Sequence, residues 1–114
     1  MIEFRAITLD WDNIAWSECK KRLDFISKDR NDIEEIKIFN SPLCDGYHIY
    51  IYFRDYIKWK DILLLRRRYK DDGNRIVIDI FKDKKEIMMR MFRYKIRNGY
   101  KYKEIGIIQT LRYE

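Results

Sequence analysis

Three residue types are rare in this chain of 114 residues, and each scarcity excludes a class of site. The single histidine, His48, excludes a metal motif built on paired histidines, and four glycines leave no glycine-rich phosphate loop. The two cysteines lack metal-ligand spacing, so we expect free thiols in a cytoplasmic protein, of the host cell if the protein is viral. No apolar run approaches the ~18 residues that span a membrane, and no signal peptide is recognisable.

The chain is rich in charged residues and also has enough apolar residues to form a core. Charged residues make up 39% of the sequence and hydrophobic residues 46%, with a net charge of +6. The length and this balance predict a single domain over residues 1–114. The basic excess favours an anionic partner, of which nucleic acid is the commonest. The dense Lys, Arg and Glu content is also typical of a thermophile, although an AT-rich genome gives a similar bias.

Hydrophobic periodicity predicts elements in the order βαββαβ, followed by an additional helix and strand. The first six match a ferredoxin-like plan, an α+β fold in which one antiparallel sheet carries two helices on one face. Its other face is then open to a ligand, or to a second copy of the chain in a homodimer. The predicted strands cover residues 2–9, 34–40, 46–53, 75–81 and 104–111, and the predicted helices cover residues 13–28, 56–70 and 84–97.

The strand at residues 46–53 is the centre of the functional prediction because it holds the only histidine. Alternation places an apolar and aromatic set on one face, where it suits a core. The opposite face carries His48, Tyr50, Tyr52 and Arg54, which suit a ligand.

Carboxylates from two other strands are predicted to reach that second face. In the ferredoxin-like plan the first and third strands are adjacent, so Asp10 and Asp12 lie next to His48, and Asp79 approaches from the fourth strand. Converging carboxylates repel one another unless a cation lies between them, and Mg²⁺ or Mn²⁺ prefers such oxygen ligands. The sequence therefore predicts a metal site at Asp10, Asp12 and Asp79, with His48 beside it.

Each of these residues also has a purely structural interpretation. Asp12 is placed to cap the first helix, and Asp10 to mark the end of the strand. Asp79 interrupts an apolar strand and would be costly to bury unpaired, but Arg75 lies two residues away on the same predicted face. A lone strand histidine such as His48 is more often structural than a ligand.

Three short motifs resemble those of the archaeo-eukaryotic primase superfamily. Leu9–Asp12 looks like its hydrophobic-Asp-x-Asp first motif, and Ser41–His48 looks like its second, a small-residue turn that leads to a strand histidine. Val77–Asp79 looks like its third, a hydrophobic residue before an aspartate. The resemblance covers roughly residues 5 to 81 and keeps the motif order.

Membership of that family would imply an RRM-like core and metal-dependent nucleotidyl transfer. The first- and third-motif aspartates would hold the metal, and the histidine, as the catalytic-site residue, would contact the incoming nucleotide's phosphates. By resemblance these roles fall on Asp10, Asp12, Asp79 and His48. The alternative to an active enzyme is a relative of this family that binds nucleic acid without catalysing nucleotidyl transfer. In style, the Ile-, Lys- and Tyr-rich composition also resembles small proteins from viruses of hyperthermophilic archaea.

The basic charge is concentrated near the end of the chain. Residues 82–103 contain nine Lys or Arg and two acids, which accounts for more than the whole net charge. Basic residues interleaved with tyrosines suit single-stranded DNA or RNA, because charge follows the phosphates and rings stack on bases. The alternative is that these lysines and arginines only solvate a packed helix, as Arg66–Arg68 would at the end of the second helix. The predicted nucleic-acid contacts are Arg90, Arg93, Lys95, Arg97, Tyr100 and Lys101.

Overall fold

The computed structural model shows an antiparallel sheet with helices packed on one of its faces. It describes residues 3–40, 45–80, 95–97, 100–102 and 105–113; side-chain surroundings are described for 4–40, 45–77, 80 and 110–113. The predicted α+β class is therefore confirmed. In chain order the elements are β1 (Glu3–Asp12), α1 (Trp16–Asp29), β2 (Ile33–Asn40), β3 (Gly46–Lys58), α2 (Trp59–Arg68), α3 (Gly73–Ile80), β4 (Lys95–Arg97), β5 (Tyr100–Tyr102) and β6 (Ile105–Arg112).

The main sheet has the strand order β1-β3-β2-β6, and each neighbouring pair is antiparallel. Strands β1 and β2 therefore run in the same direction on either side of β3, and α1 connects them. Strand β3 thus separates the two parallel strands that α1 connects. Strands β4 and β5 form a separate two-stranded ribbon.

The core lies between the helices and one face of the sheet. Alternating residues of β3, namely Ile49, Ile51 and Phe53, are buried there as the strand pattern predicts. They pack with the apolar stripes of α1 and α2, since a helix on a sheet buries one side and leaves the other in water. The remaining core residues are Phe4, Ile7, Leu9, Trp11, Cys19, Leu23, Ile26, Ile33, Ile36, Ile38, Ile57, Ile62, Leu65 and Tyr69.

The predicted fourth strand, residues 75–81, is wrong: Gly73–Ile80 is the helix α3. Short apolar runs fit a strand or a buried helix equally well by periodicity, so local capping decides between them. The Asp72 carboxylate accepts a hydrogen bond from the Asn74 N–H at 2.9 Å, and the Asp72 carbonyl accepts one from the Ile76 N–H at 3.1 Å. These bonds start a helical turn where the sequence analysis placed an extended strand.

The predicted strand order, with the fourth strand at 75–81 beside the first, also differs from the structure, because Gly73–Ile80 is helical and the last strand, β6, pairs with β2. Within the described residues, side chains occupy the outer edge of β1. The Asp10 N–H donates to Asp71 Oδ1 at 2.9 Å, and the Thr8 carbonyl accepts from Arg75 Nη1 at 3.1 Å. These contacts satisfy edge groups that would otherwise need another strand.

The later predicted elements are only partly covered by the structure. Most of the predicted helix at residues 84–97 falls outside the described residues, and its final three residues form β4 instead of a helix. The predicted last strand at 104–111 overlaps β6 (Ile105–Arg112). The second helix, α2, begins three residues later than predicted because β3 continues to Lys58.

Gly46 is required by the close pairing of β1 and β3. A Cβ atom at this position would lie 2.9 Å from the Asp12 Cα and would overlap the Trp11 carbonyl oxygen. Because backbone atoms cannot rotate away, we expect Gly46→Ala to lower the free energy of unfolding by about 1–3 kcal/mol in urea denaturation. Gly73→Ala is the matched control, since its added Cβ would have no heavy atom within 4 Å apart from its chain neighbours and the backbone of its own helix. Equal stability of the two variants would contradict this account.

Lys70 adopts a left-handed backbone conformation at the end of α2, with φ 60. The Lys70 N–H bonds the Arg67 carbonyl at 3.2 Å and the Asp71 N–H bonds the Arg66 carbonyl at 2.9 Å, a helix termination that usually uses glycine. We therefore expect Lys70→Gly to raise the free energy of unfolding by about 0.5–1 kcal/mol, measured by urea denaturation. Unchanged or lower stability would show that Lys70 is not strained.

Candidate functional site

Asp10 and His48 lie opposite each other on β1 and β3, on the face turned away from the core. His48 Nε2 is 3.2 Å from Asp10 Oδ1, and the imidazole is only 2% exposed. The structure thus brings together two of the four residues that the sequence analysis placed at a metal site. Their proximity follows directly from the antiparallel pairing of the two strands.

The other two predicted metal ligands are placed differently. Asp12 is exposed at the end of β1. It was also predicted to cap α1, but the N-cap residue of α1 is Ala15, which makes no side-chain hydrogen bond there. Asp79 belongs to α3 instead of a strand, and its side chain lies outside the described surroundings. Among the described residues, no three His, Cys, Asp or Glu side chains are close enough to hold a metal ion.

Arg75 reaches from α3 to the Asp10 side of β1. Its Nη2 donates to Thr8 Oγ1, and its Nη1 donates to Asp71 Oδ1 at 3.2 Å and lies 3.9 Å from Asp10 Oδ1. The guanidinium therefore neutralises two carboxylates at once. Arg75 was predicted as a partner for Asp79, whose side chain lies outside the described surroundings, so that pairing stays a prediction. The described partners of Arg75 are Thr8, Asp10 and Asp71.

Asp71 is the centre of this buried ion network, which we define as Asp10, His48, Arg66, Asp71 and Arg75. Its carboxylate accepts from Arg66 Nε at 2.7 Å and from two backbone N–H groups, and the Arg66 and Asp71 side chains are both fully buried. Such charges persist in an interior only when they are paired and hydrogen-bonded. The network joins the edge of β1 to the corner between α2 and α3.

Arg66 and Asp71 were not among the predicted site residues. The alternative interpretation of Arg66–Arg68 as a solvated helix end is wrong for Arg66, which is 0% exposed. The apolar positions of α2 gave no indication that an arginine would face inward. Within the described residues an imidazole and a guanidinium lie beside the Asp10 carboxylate. Because the Asp79 side chain lies outside the described surroundings, the metal site at Asp10, Asp12 and Asp79 stays a prediction.

The face opposite the core carries aromatic and basic side chains on its two central strands. We call Lys37 and Phe39 of β2 with Tyr50 and Tyr52 of β3 the aromatic sheet face; all four are half-buried. The Phe39 and Tyr50 rings lie 5.0 Å apart, and Lys37 Nζ lies 5.5 Å from the centre of the Tyr52 ring. Cation–π and ring contacts of this kind hold the side chains in fixed positions on the sheet.

The predicted basic contacts lie partly within the described residues. Lys95 and Arg97 are on β4 and Tyr100 and Lys101 are on β5, where the register pairs Arg97 with Tyr100. Arg90 and Arg93 lie outside the described residues, as does Cys44. These placements leave the predicted nucleic-acid contacts as a prediction.

Cys19 is a free, fully buried cysteine in α1. Burial raises the pKa of its thiol to about 11, so the thiol stays protonated at neutral pH. It is therefore a core residue rather than a nucleophile.

None of the described helices has the length and apolar character needed to cross a bilayer. Comparisons with protein-family models, with curated proteins and with solved structures return no match to this chain.

Proposed function

We propose that the protein binds single-stranded nucleic acid through the aromatic sheet face. The observation that carries the proposal is the pair of half-buried tyrosines, Tyr50 and Tyr52, on a central strand of the sheet. Residues two apart on a strand are spaced by about 7 Å, so each ring can receive a separate unstacked base. Antiparallel sheets with aromatics on their central strands bind RNA in this manner.

Charge supports the same proposal. Lys37 lies against Tyr52, which places an ammonium group beside a stacking surface, and the whole chain carries a net charge of +6. A positive protein attracts a polyanion, and lysines beside the rings contact phosphates between the stacked bases. We also propose that the β1-α1-β2-β3 segment corresponds to half of a ferredoxin-like, RRM-like sheet, because its strand order and directions agree with that plan.

Nucleotidyl transfer is not part of the proposal. Asp10 is engaged by His48 and Arg75, and this arrangement supports a structural ion pair rather than a metal ligand. Binding without catalysis, one of the two forms considered from the sequence, is what the described geometry favours.

The test measures binding of a fluorescently labelled oligothymidylate and oligouridylate of about 12 nucleotides by anisotropy at low salt. We expect the double variant Tyr50→Leu/Tyr52→Leu to bind about tenfold or more weakly, because each stacked base contributes roughly 1–3 kcal/mol. Leucine keeps the apolar bulk, so the fold should persist, and circular dichroism verifies this.

Tyr47→Leu is the matched control, because Tyr47 lies on the same strand but packs toward Trp16 on the core side. Its affinity should stay within about twofold of the wild type. Wild-type affinity in the double variant would contradict the proposal. Light scattering provides a second way to contradict it. If the wild type is a stable homodimer and the same double variant is a monomer, the aromatic sheet face is a subunit interface.

A further inference from the structure

A groove on the helical side of the molecule, opposite the aromatic sheet face, has the features of a second binding site. It lies between α1 and the end of α2 and has a volume of about 360 Å³. This is within the size range of small-molecule sites. Its lining includes Lys21, Arg22 and Phe25 from α1, and Arg68 and Lys70 from the α2 exit.

The groove is strongly cationic. Four of its lining side chains are basic, and Glu18 is its one acid. Glu18 bonds Arg22 at 3.1 Å, while Arg68 is paired with Asp29 outside the lining. Within the described part of the chain, neither Lys21 nor Lys70 has an acidic partner within ion-pair distance.

The positive charges of both lysines nevertheless influence the same carboxylate, that of Glu18. The pKa of Glu18 is lowered, first by its hydrogen bond from Arg22 and further by the positive charges of Lys70 and Lys21. Ammonium groups from the middle of α1 and from the residues just after α2 therefore place positive potential beside Glu18, at one side of the groove. An anionic group of a ligand would complement it.

The lining of the groove also includes an aromatic side chain. Phe25 is 48% exposed, an unusual exposure for a phenylalanine. Its ring is held by the Arg68 guanidinium at 5.3 Å and by the edge of Tyr69 at 6.3 Å. A fixed, exposed ring of this kind is suited to stacking by a planar ligand.

Lys70 lies in the turn that ends α2, where it holds a left-handed conformation in which glycine would be unstrained. Its backbone conformation therefore belongs to the helix end, and its ammonium group is what it contributes to the groove. Glycine would complete the helix end equally well but would remove an ammonium group from the groove.

We propose that this groove binds a nucleoside phosphate, with the phosphate between Lys21 and Lys70 and the base on Phe25. The site is separate from the aromatic sheet face and does not depend on its proposed function. The nucleotide is either free or the phosphorylated end of a strand, since both present the same chemistry.

The test titrates the intact protein calorimetrically with adenosine monophosphate, inorganic phosphate and adenosine. We expect adenosine monophosphate to bind the wild type and to bind Lys21→Gln/Lys70→Gly about tenfold more weakly. Lys70→Gly is expected to stabilise the fold, so weaker binding would not reflect unfolding. Phosphate and adenosine alone should each bind about tenfold or more weakly than the nucleotide.

The matched control is Lys20→Gln/Lys60→Gln, which removes the same charge from exposed positions on α1 and α2 outside the groove. It should bind within about twofold of the wild type, as should Tyr50→Leu/Tyr52→Leu. Failure of the sheet-face proposal thus leaves this result unaffected.

Stronger binding of a 5′-phosphorylated oligonucleotide than of its unphosphorylated counterpart would identify a strand end as the source. Absence of nucleotide binding, equal binding by the groove variant, or phosphate binding as tightly as the nucleotide would overturn the proposal.

Discussion

Asp71→Ala is expected to lower the free energy of unfolding by about 3–5 kcal/mol, which is a large part of the stability of a domain of this size. The substitution removes the carboxylate that Arg66 and Arg75 share inside the protein. Two buried guanidinium groups then lose an anion, and the Asp10 N–H at the edge of β1 loses its acceptor. Each of these losses carries the cost of a buried polar group without its partner.

Urea denaturation followed by circular dichroism measures this effect, and Asp24→Ala is its control. Asp24 pairs with Lys28 on an exposed surface of α1 at 3.0 Å, so its removal should change stability by less than about 0.5 kcal/mol. Asp71→Asn keeps an acceptor oxygen but not the charge and should lie between the two. A loss of less than about 1 kcal/mol in Asp71→Ala would show that the network is not a main structural support.

Trp11→Ala is expected to have a similar effect through packing rather than charge. Trp11 is 1% exposed and is among the largest buried side chains of the core. Its Nε1 donates to the Tyr69 carbonyl at 2.8 Å, and the Arg22 guanidinium lies 5.3 Å from its ring. It therefore joins β1 to both α1 and the end of α2. Truncation leaves a large cavity, and we expect a loss of about 3–5 kcal/mol.

Trp16→Ala is the comparison for this prediction. Trp16 is half-buried and contacts Tyr47 with ring centres 5.5 Å apart, so its truncation should cost about 1 kcal/mol. Thermal or urea denaturation of the two variants measures the difference. Equal losses would mean that the joint between β1 and the two helix ends contributes no more than an ordinary peripheral contact.

The parts of the fold that were predictable depend on local pattern. The alternation in β3 predicts that Ile49, Ile51 and Phe53 face the core, and the structure confirms this. Antiparallel pairing of β1 with β3 likewise places Asp10 beside His48. Period-two and period-3.6 patterns record which side of an element is buried, so they can be recognised without knowing its neighbours.

The parts that were not predictable depend on contacts between distant residues. The segment Arg75–Ile80 has an apolar pattern compatible with a strand, and the cap at Asp72 makes it a helix. The edge of β1 is occupied by Asp71 and Arg75, residues more than sixty positions away, and no sequence period reports such a pairing. The inward direction of Arg66 depends on the same distant carboxylate.

The aromatic sheet face was partly predictable for the same reason. Alternation places Tyr50 and Tyr52 on the ligand side of β3. The neighbouring Lys37 and Phe39 of β2 became part of it only through the pairing of β2 with β3. Strand register, and not composition, therefore assembles this surface.

Photochemical crosslinking tests the proposed nucleic-acid face most directly. A single-stranded oligonucleotide that carries 5-bromodeoxyuridine is bound at low salt and irradiated, and mass spectrometry locates the crosslinked residues. The account predicts crosslinks at Tyr50, Tyr52 and Phe39 in the wild type. In Tyr50→Leu/Tyr52→Leu the crosslinks at positions 50 and 52 should disappear. Crosslinks confined to Lys95–Arg97 and Tyr100–Tyr102, with none on β2 or β3, would contradict it.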